Sequence, residues 1–169
     1  MQKTLLLGGA RSGKSARALS LAEMAGAHRV FIATAEALDE EMSDRISRHK
    51  AERGATWTTI EEPLDLVGAM ARSLQSGDVC VVDCLTLWLS NLMHHDLDID
   101  RETARLCDAV SSHSQPIILV SNEVGLGLVP ETPLGRRFRD AQGRLNQDLA
   151  RVCRTVQFVA AGLAITLKG

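Results

Sequence analysis

Gly8, Gly13, Lys14 and Ser15 stand at the spacing G-x-x-x-x-G-K-[ST], which is the pattern of a phosphate-binding loop. The residue types suit that chemistry. Glycines let backbone N–H groups converge on phosphate oxygens, and a helix starting just after them adds the partial positive charge of its N-terminus. Gly9, Ala10, Arg11 and Ser12 complete the cradle. Lys14 can reach the β- and γ-phosphates, and the Ser15 hydroxyl can ligate Mg²⁺. Leu5, Leu6 and Leu7 before the loop predict a strand. Ala18, Leu21, Ala22 and Ala25 after it, at i, i+3, i+4 and i+7, predict a helix. A glycine-rich turn that binds nothing is the plain alternative, and four matched positions in strand–loop–helix context argue against it.

Other chemistry-bearing residues fall where strands are expected to end, and in open α/β sheets ligands sit at the carboxyl ends of strands. The run 79–83 closes on Asp83, an acid of the kind that holds a Mg²⁺ shell beside a phosphate loop. Residues 29–35 read as a strand ending in Ala33, Thr34 and Ala35, which either border a nucleotide or only lead into a loop. Glu61 or Glu62 could bind a ribose hydroxyl, or supply negative charge to a helix start. Ser121, Asn122 and Glu123 follow the apolar run 117–120 and precede Gly125 and Gly127. They read as a binding or switch loop, or as a turn in which the glycines take φ > 0. His49 shares a helix face with Met42 and Ile46 near several basic groups. It is either a packed helix-end histidine or an imidazole kept neutral, and so nucleophilic, by cationic neighbours.

The elements that must position these groups can be read in the same way. A helix over 39–53 is predicted by acids at its start (Asp39, Glu40, Glu41), bases at its end (Arg48, His49, Lys50, Arg53) and Gly54 beyond. After a short strand at Trp57–Ile60, Pro63 is placed as the first residue of a helix with Leu64, Val67, Ala71 and Leu74 on its apolar face and Gly77 at its end. Leu85, Trp88, Leu89 and Leu92 mark the next helix, with His94, His95 and Asp96 in a solvated loop after it. A helix over 100–113 buries Ala104, Cys107 and Val110. A long one begins at Leu134 and buries Leu134, Phe138, Ala141, Leu145, Leu149 and Val152. Its arginines (Arg136, Arg137, Arg139, Arg144, Arg151) form a solvated face or meet an anionic ligand or subunit. Val156–Ala160 and Ala164–Lys168 read as a hairpin. Strands alternating with helices predict an α/β fold: a mostly parallel sheet with helices on both faces, edged by that C-terminal antiparallel hairpin.

Bulk properties narrow the function. A chain of 169 residues suits one domain, here 1–169. A net charge of −2 argues against a nucleic-acid or membrane-surface binder. No apolar run approaches a membrane span, and no leader is expected before the first strand. Cys80, Cys84, Cys107 and Cys153 form no C-x-x-C pair, so reduced thiols in the cytoplasm are expected. None of the lysines sits in an N-K-x-D base-reading motif. A small-molecule kinase or nucleotidyltransferase fits best. A kinase of another small hydroxyl substrate and a slowly hydrolysing binding module are the competing classes.

Four stretches, taken together, resemble the bifunctional adenosylcobinamide kinase / adenosylcobinamide-phosphate guanylyltransferase family. They are Gly-Gly-Ala-Arg-Ser-Gly-Lys-Ser (8–15); Phe-Ile-Ala-Thr-Ala (31–35) with Asp-Glu-Glu-Met and Arg-Ile-x-x-His (39–49); Ser-Asn-Glu-Val-Gly-x-Gly-x-Val-Pro (121–130); and Arg-Phe-Arg-Asp-x-x-Gly-x-x-Asn-Gln (137–147). The resemblance implies a RecA-like P-loop NTPase fold and two reactions. Adenosylcobinamide would be phosphorylated from ATP or GTP, and GMP would then pass from GTP to adenosylcobinamide phosphate, giving adenosylcobinamide-GDP and pyrophosphate. The resemblance implies a guanylylated histidine at His49. It implies guanine-nucleotide contacts at Lys50, Ala51, Glu52, Arg53 and Glu61, a phosphate or metal role for Asp83, and a homotrimer.

Overall fold

The computed structural model describes residues 3–36, 54 and 56–169. In chain order the elements are β1 (Lys3–Gly8), α1 (Lys14–Ala25), β2 (Arg29–Ala33), β3 (Trp57–Glu61), α2 (Leu66–Ser73), β4 (Val79–Asp83), α3 (Leu85–His94), α4 (Ile99–Ser112), β5 (Ile117–Asn122), α5 (Pro133–Val152), β6 (Thr155–Ala160) and β7 (Leu163–Lys168). One seven-stranded sheet runs β3-β2-β4-β5-β1-β6-β7. All neighbours are parallel except β6 and β7, which pair antiparallel. A single strand, β5, separates the P-loop strand β1 from β4, as in RecA-like P-loop folds. The expected helix over 39–53 lies outside the described residues.

Central strands are apolar on both sides because both faces of the sheet are covered. Leu6, Phe31, Ala33, Val79, Val81, Ile118 and Val120 pack against Ala18, Leu21 and Ala22 of α1. Leu5, Val30, Ile32, Cys80, Val82, Ile117 and Leu119 pack on the other face, with apolar residues of α2 to α5. Trp88, the bulkiest of the fully buried side chains among the described residues, donates its indole N–H to Leu64 O at 2.9 Å. No helix among the described residues is long and apolar enough to cross a membrane.

Two expected helix faces shift in the structure, and that of α5 keeps its phase but widens. Helix α2 starts at Leu66, where Asp65 caps Gly68 N through its carboxylate, and not at Pro63. Its buried face is therefore Leu66, Ala69, Met70 and Ser73, while Ala71 and Leu74 are exposed. In α4 the buried positions are Thr103, Leu106 and Val110, and Ala104 faces water. In α5 the face includes Gln142 and Asn146, while Leu134 is 65% exposed. α1 ends at its cap Gly26, whereas α2 ends at Ser73 with Leu74 as its cap, before the expected Gly77; a Cβ at Gly26 would lie 2.5 Å from Asp78 Cβ, and one at Gly77 2.7 Å from Val30 Cγ2.

The remaining surface features are local. His95 Nε2 meets Glu36 Oε1 at 3.1 Å, and His94 ends α3 rather than starting the loop. Arg136 donates to Pro130 O and Glu131 O, and Arg139 and Arg151 pair with Asp140 and Asp148. Most of this arginine face is thus engaged within its own helix or the preceding loop. Neither Gly125 nor Gly127 has positive φ, so the turn explanation for those glycines fails. The cysteines are unpaired, and burial pushes the thiols of Cys80 and Cys153 up to about 12.

Candidate nucleotide site

Side chains on a strand alternate between faces, so the α1 face can be followed to the carboxyl edge of the sheet. Beyond Leu6 comes Gly8, beyond Val81 comes Asp83, and beyond Val120 comes Asn122. Ala33 itself belongs to this face, and Trp57, which packs against it, shares its strand side with Glu61. Register aligns Glu61 with Ala33 and Ala33 with Asp83, Asp83 with Val120, and, two residues further along, Gly8 with Asn122, so the row is stepped. Five strands thereby present their last residues around the start of α1, where the phosphate loop turns.

The loop itself depends on unusual backbone. Arg11 has φ 55°, Gly13 φ 100° and Gly8 φ 153°. Ser12 N donates to Gly9 O at 3.3 Å, and Arg17 N starts the helical ladder on Gly13 O at 3.0 Å. The C-terminal hairpin backs the loop. Its turn, Ala161-Gly162, has positive φ at both residues, the twist that two-residue hairpins favour. Gly162 N donates to Ser12 O at 2.9 Å, and a Cβ on Gly13 would lie 3.0 Å from Gly162 Cα. A Cβ on Gly8 would lie 2.2 Å from Val159 O and 2.8 Å from Ser12 Oγ.

Gly8→Ala should therefore open the cradle. Val159 is a fully buried residue of β6 and its carbonyl is backbone, so the loop must move instead. Restoring the binding geometry then costs about 1–3 kcal/mol. Nucleotide affinity is expected to fall about tenfold or more, measured by calorimetric titration with GTP. Wild-type affinity in a folded Gly8→Ala protein would refute the cradle geometry.

Lys14 is only 6% exposed. Its Nζ donates to Gly9 O at 2.5 Å and to Ser12 Oγ at 3.4 Å, inside the loop that the amides enclose. Burial lowers its pKa below the ordinary lysine value, opposed mainly by the negative charge of Asp83. Phosphate oxygens would act in the same sense as Asp83 and hold the ammonium charged. Ser15, one residue further along α1, is exposed. Burial, followed by the neighbouring Asp83 charge, raises the Cys84 thiol to about 11. It is a capping group, its Sγ accepting from Leu87 N at 3.4 Å, rather than a nucleophile.

The structure separates some sequence candidates. Thr34 is fully buried. Its hydroxyl donates to Cys84 O at 2.7 Å and accepts from Cys84 N at 2.9 Å, tying β2 to the residue after Asp83. Asn91 Nδ2 fastens the same segment through Thr34 O at 2.8 Å and Pro63 O at 3.1 Å. Ala35 leads away from the strand end, beside Ala33 of the row. Glu62 serves the helix start: it accepts from Leu64 N and Asp65 N and pairs with Arg72 at 3.1 Å. Of the two adjacent glutamates, Glu61 is the one in the row. His49, Lys50, Ala51, Glu52 and Arg53 lie outside the described residues. A groove of about 490 Å³ between α4 and α5, lined by Asp100, Asp108, Arg144, Asp148 and Arg151 among others, opens on the sheet face away from α1. It is therefore not part of this site.

The comparisons with known proteins cover nearly the whole chain. The family model of cobinamide kinase / cobinamide phosphate guanyltransferase matches residues 4–167. The bifunctional adenosylcobalamin biosynthesis protein CobP of Pseudomonas aeruginosa is 47% identical over 169 residues, covering 99% of this chain and 98% of that protein. CobU of Salmonella typhimurium, also described as a bifunctional adenosylcobalamin biosynthesis protein, is 37% identical over 180 residues, covering 97% and 98%. Among solved structures, the Pyrococcus horikoshii protein of project PH0250 matches with a TM-score of 0.57 at 11% identity, over 99% of this chain and 86% of that one, which is a likeness of fold.

Proposed function

Because the chain belongs to the cobinamide kinase / cobinamide phosphate guanyltransferase family, we propose that this one scaffold runs both steps from the row of strand ends around Lys14. In the first, the hydroxyl of adenosylcobinamide takes the γ-phosphoryl group of ATP or GTP. In the second, His49 attacks the α-phosphorus of GTP, pyrophosphate leaves, and GMP passes from the imidazole to adenosylcobinamide phosphate, giving adenosylcobinamide-GDP. The observation that carries the reading is the convergence of Lys14, Asp83, Glu61 and the P-loop amides on one sheet edge. Lys14 and the amides offset charge on the phosphates. Glu61, two strands from Asp83, is placed to accept from the far end of the nucleotide, with Lys50 to Arg53 as further contacts.

The donor set fits Mg²⁺. Ser15 offers a hydroxyl and Asp83 a carboxylate, both hard oxygen ligands, and Mg²⁺ is usually held by one or two such groups plus substrate phosphates. When bound it supplies charge neutralisation at the phosphates. The unpaired cysteines support a reducing, cytoplasmic setting.

The test is covalent. Wild-type protein incubated with GTP and Mg²⁺ should gain the mass of one GMP through an acid-labile bond. Intact mass without an adduct, where GTP is shown to bind, sinks the covalent mechanism.

A homotrimer is the proposed assembly. Strand β7 is an edge strand, exposed throughout, and carries Leu163, Ile165 and Leu167 on one side at 73%, 62% and 61% exposure. An apolar stripe on an unpaired edge is the kind of surface that proteins normally cover. Ile165→Lys is expected to shift the mass seen by light scattering from trimer to monomer. A variant that stays trimeric rules β7 out as the contact.

A further inference from the structure

We propose that the side-chain amide of Asn122 is a catalytic group of the kinase step, with Nδ2 donating to an oxygen of the transferring γ-phosphoryl group. The proposal rests on the kinase reading above. In that step the alcohol oxygen bonds to the γ-phosphorus. The bond from that phosphorus to the β–γ bridging oxygen breaks, its electron pair leaves on the nucleoside diphosphate, and the alcohol proton is released to water. Charge shifts onto the phosphoryl and bridging oxygens, and a fixed neutral donor there lowers the barrier.

The placement of Asn122 comes from its strand. β5 lies between β1 and β4, and Asn122 sits about 5 Å from Gly8 of the P-loop strand, two residues beyond Val120, which pairs with Asp83 on the other side. It pairs with Gly8 in register and continues the Ile118–Val120 face that α1 covers, the face that also bears Asp83. It is partly exposed, and its side chain makes no hydrogen bond among the described residues.

Its backbone, by contrast, is pinned from three directions. Asn122 N donates to Thr86 Oγ1 of α3 at 2.8 Å. Asn122 O accepts from Asn146 Nδ2 of α5 at 3.1 Å. The next amide, Glu123 N, donates to Gly8 O at 3.0 Å. Behind Asn146 lies a buried polar cluster. Ser121 Oγ donates to Asn146 Oδ1 at 2.6 Å, and Gln142 Nε2 donates to both Ser121 Oγ at 2.9 Å and Asn146 Oδ1 at 3.1 Å. Gln142 is fully buried and its Oε1 has no partner. Buried polar clusters are costly unless they fix something specific, and this one reaches the sheet edge through the carbonyl of Asn122. Ser121, Gln142 and Asn146 are positioning residues. Asn122 is the group they aim.

Alanine at 122 keeps all three backbone bonds, so Asn122→Ala should fold and melt like wild type. Its kcat for cobinamide phosphorylation is expected to fall about 100-fold, the lower end for loss of one preorganised donor, with nucleotide KM changed less than about threefold. GMP loading at the α-phosphorus should stay within a fewfold of wild type, because the amide serves the γ position. Asn122→Asp, which removes the donor and adds like charge, should lose at least as much kcat. A kcat within threefold of wild type in Asn122→Ala overturns the proposal. So does a loss matched by an equal rise in KM or a lowered melting temperature, which would mark a structural role. Intrinsic GTP hydrolysis, with water as acceptor, is measured in the same samples. If wild type fails to phosphorylate cobinamide, the substrate reading falls, while the hydrolysis ratio still decides for or against Asn122.

Discussion

Lys14→Ala is expected to reduce phosphorylation of adenosylcobinamide by roughly 10³-fold, the upper range for loss of one charge-stabilising group in a preorganised site. The ammonium is buried inside the P-loop, held by Gly9 O and Ser12 Oγ, and the two neighbouring arginines among the described residues do not replace it. Arg11 points from an exposed loop position, and Arg17 Nε is engaged with Gln157 Oε1 at 3.2 Å. Lys14→Arg should restore little, since a planar guanidinium does not fit a nearly closed space built around a compact ammonium. A pH dependence follows as well. Burial lowers the Lys14 pKa, so its charge is lost at lower pH than that of an exposed lysine. Nucleotide binding should weaken on the alkaline side, and the weakening should be absent in Lys14→Ala. Steady-state kinetics with ATP and GTP checks the first expectation. Unchanged turnover in Lys14→Ala would mean the loop does not serve the kinase step.

His49→Ala should separate the two reactions. The GMP adduct expected on wild type should vanish from the intact mass, and transfer to adenosylcobinamide phosphate should fall to background, while phosphorylation of adenosylcobinamide continues. Covalent catalysis splits one difficult transfer into two easier ones, so removing the nucleophile removes the easier route entirely. With a reference pKa near ~6.5, the imidazole loses nucleophilicity on protonation. Adduct formation should therefore decline as pH falls through that region. An adduct that persists in His49→Ala assigns the nucleophile elsewhere. Loss of both reactions in a folded variant would mean His49 supports the shared nucleotide site instead.

Much of the architecture was legible because local rules and the global fold agree. The runs at 79–83 and 117–120 could only be strands buried on both faces. The hairpin at the C-terminus and the helix with Leu85, Trp88, Leu89 and Leu92 stand where their patterns place them. Errors arose where a polar residue does core work or a proline misleads. Pro63 looked like a helix start, but Asp65 holds the capping bond and resets the phase of α2. Gln142 and Asn146 lie on the buried face of α5 because Ser121 of β5 meets them with hydrogen bonds. No periodicity written in apolar residues alone can show that. Their one sequence signal was Asn146 at the end of the Arg-Phe-Arg-Asp stretch.

By itself the sequence determined that a phosphate cradle exists at Gly8–Ser15, that a parallel α/β sheet carries it, and which family's chemistry to expect. These are local or near-local properties: a turn requiring glycine, a run requiring a strand, an ordered set of motifs. Tertiary structure alone decided which strand ends share one face with Lys14. It chose Glu61 over Glu62 for the row, closed the Thr34 hydroxyl onto Cys84, and brought Asn122 beside Gly8 across 114 positions of chain. Strand order and register are long-range pairings, and they depend on which neighbours satisfy each edge. The residues between Gly8 and Asn122 carry no local mark of that meeting.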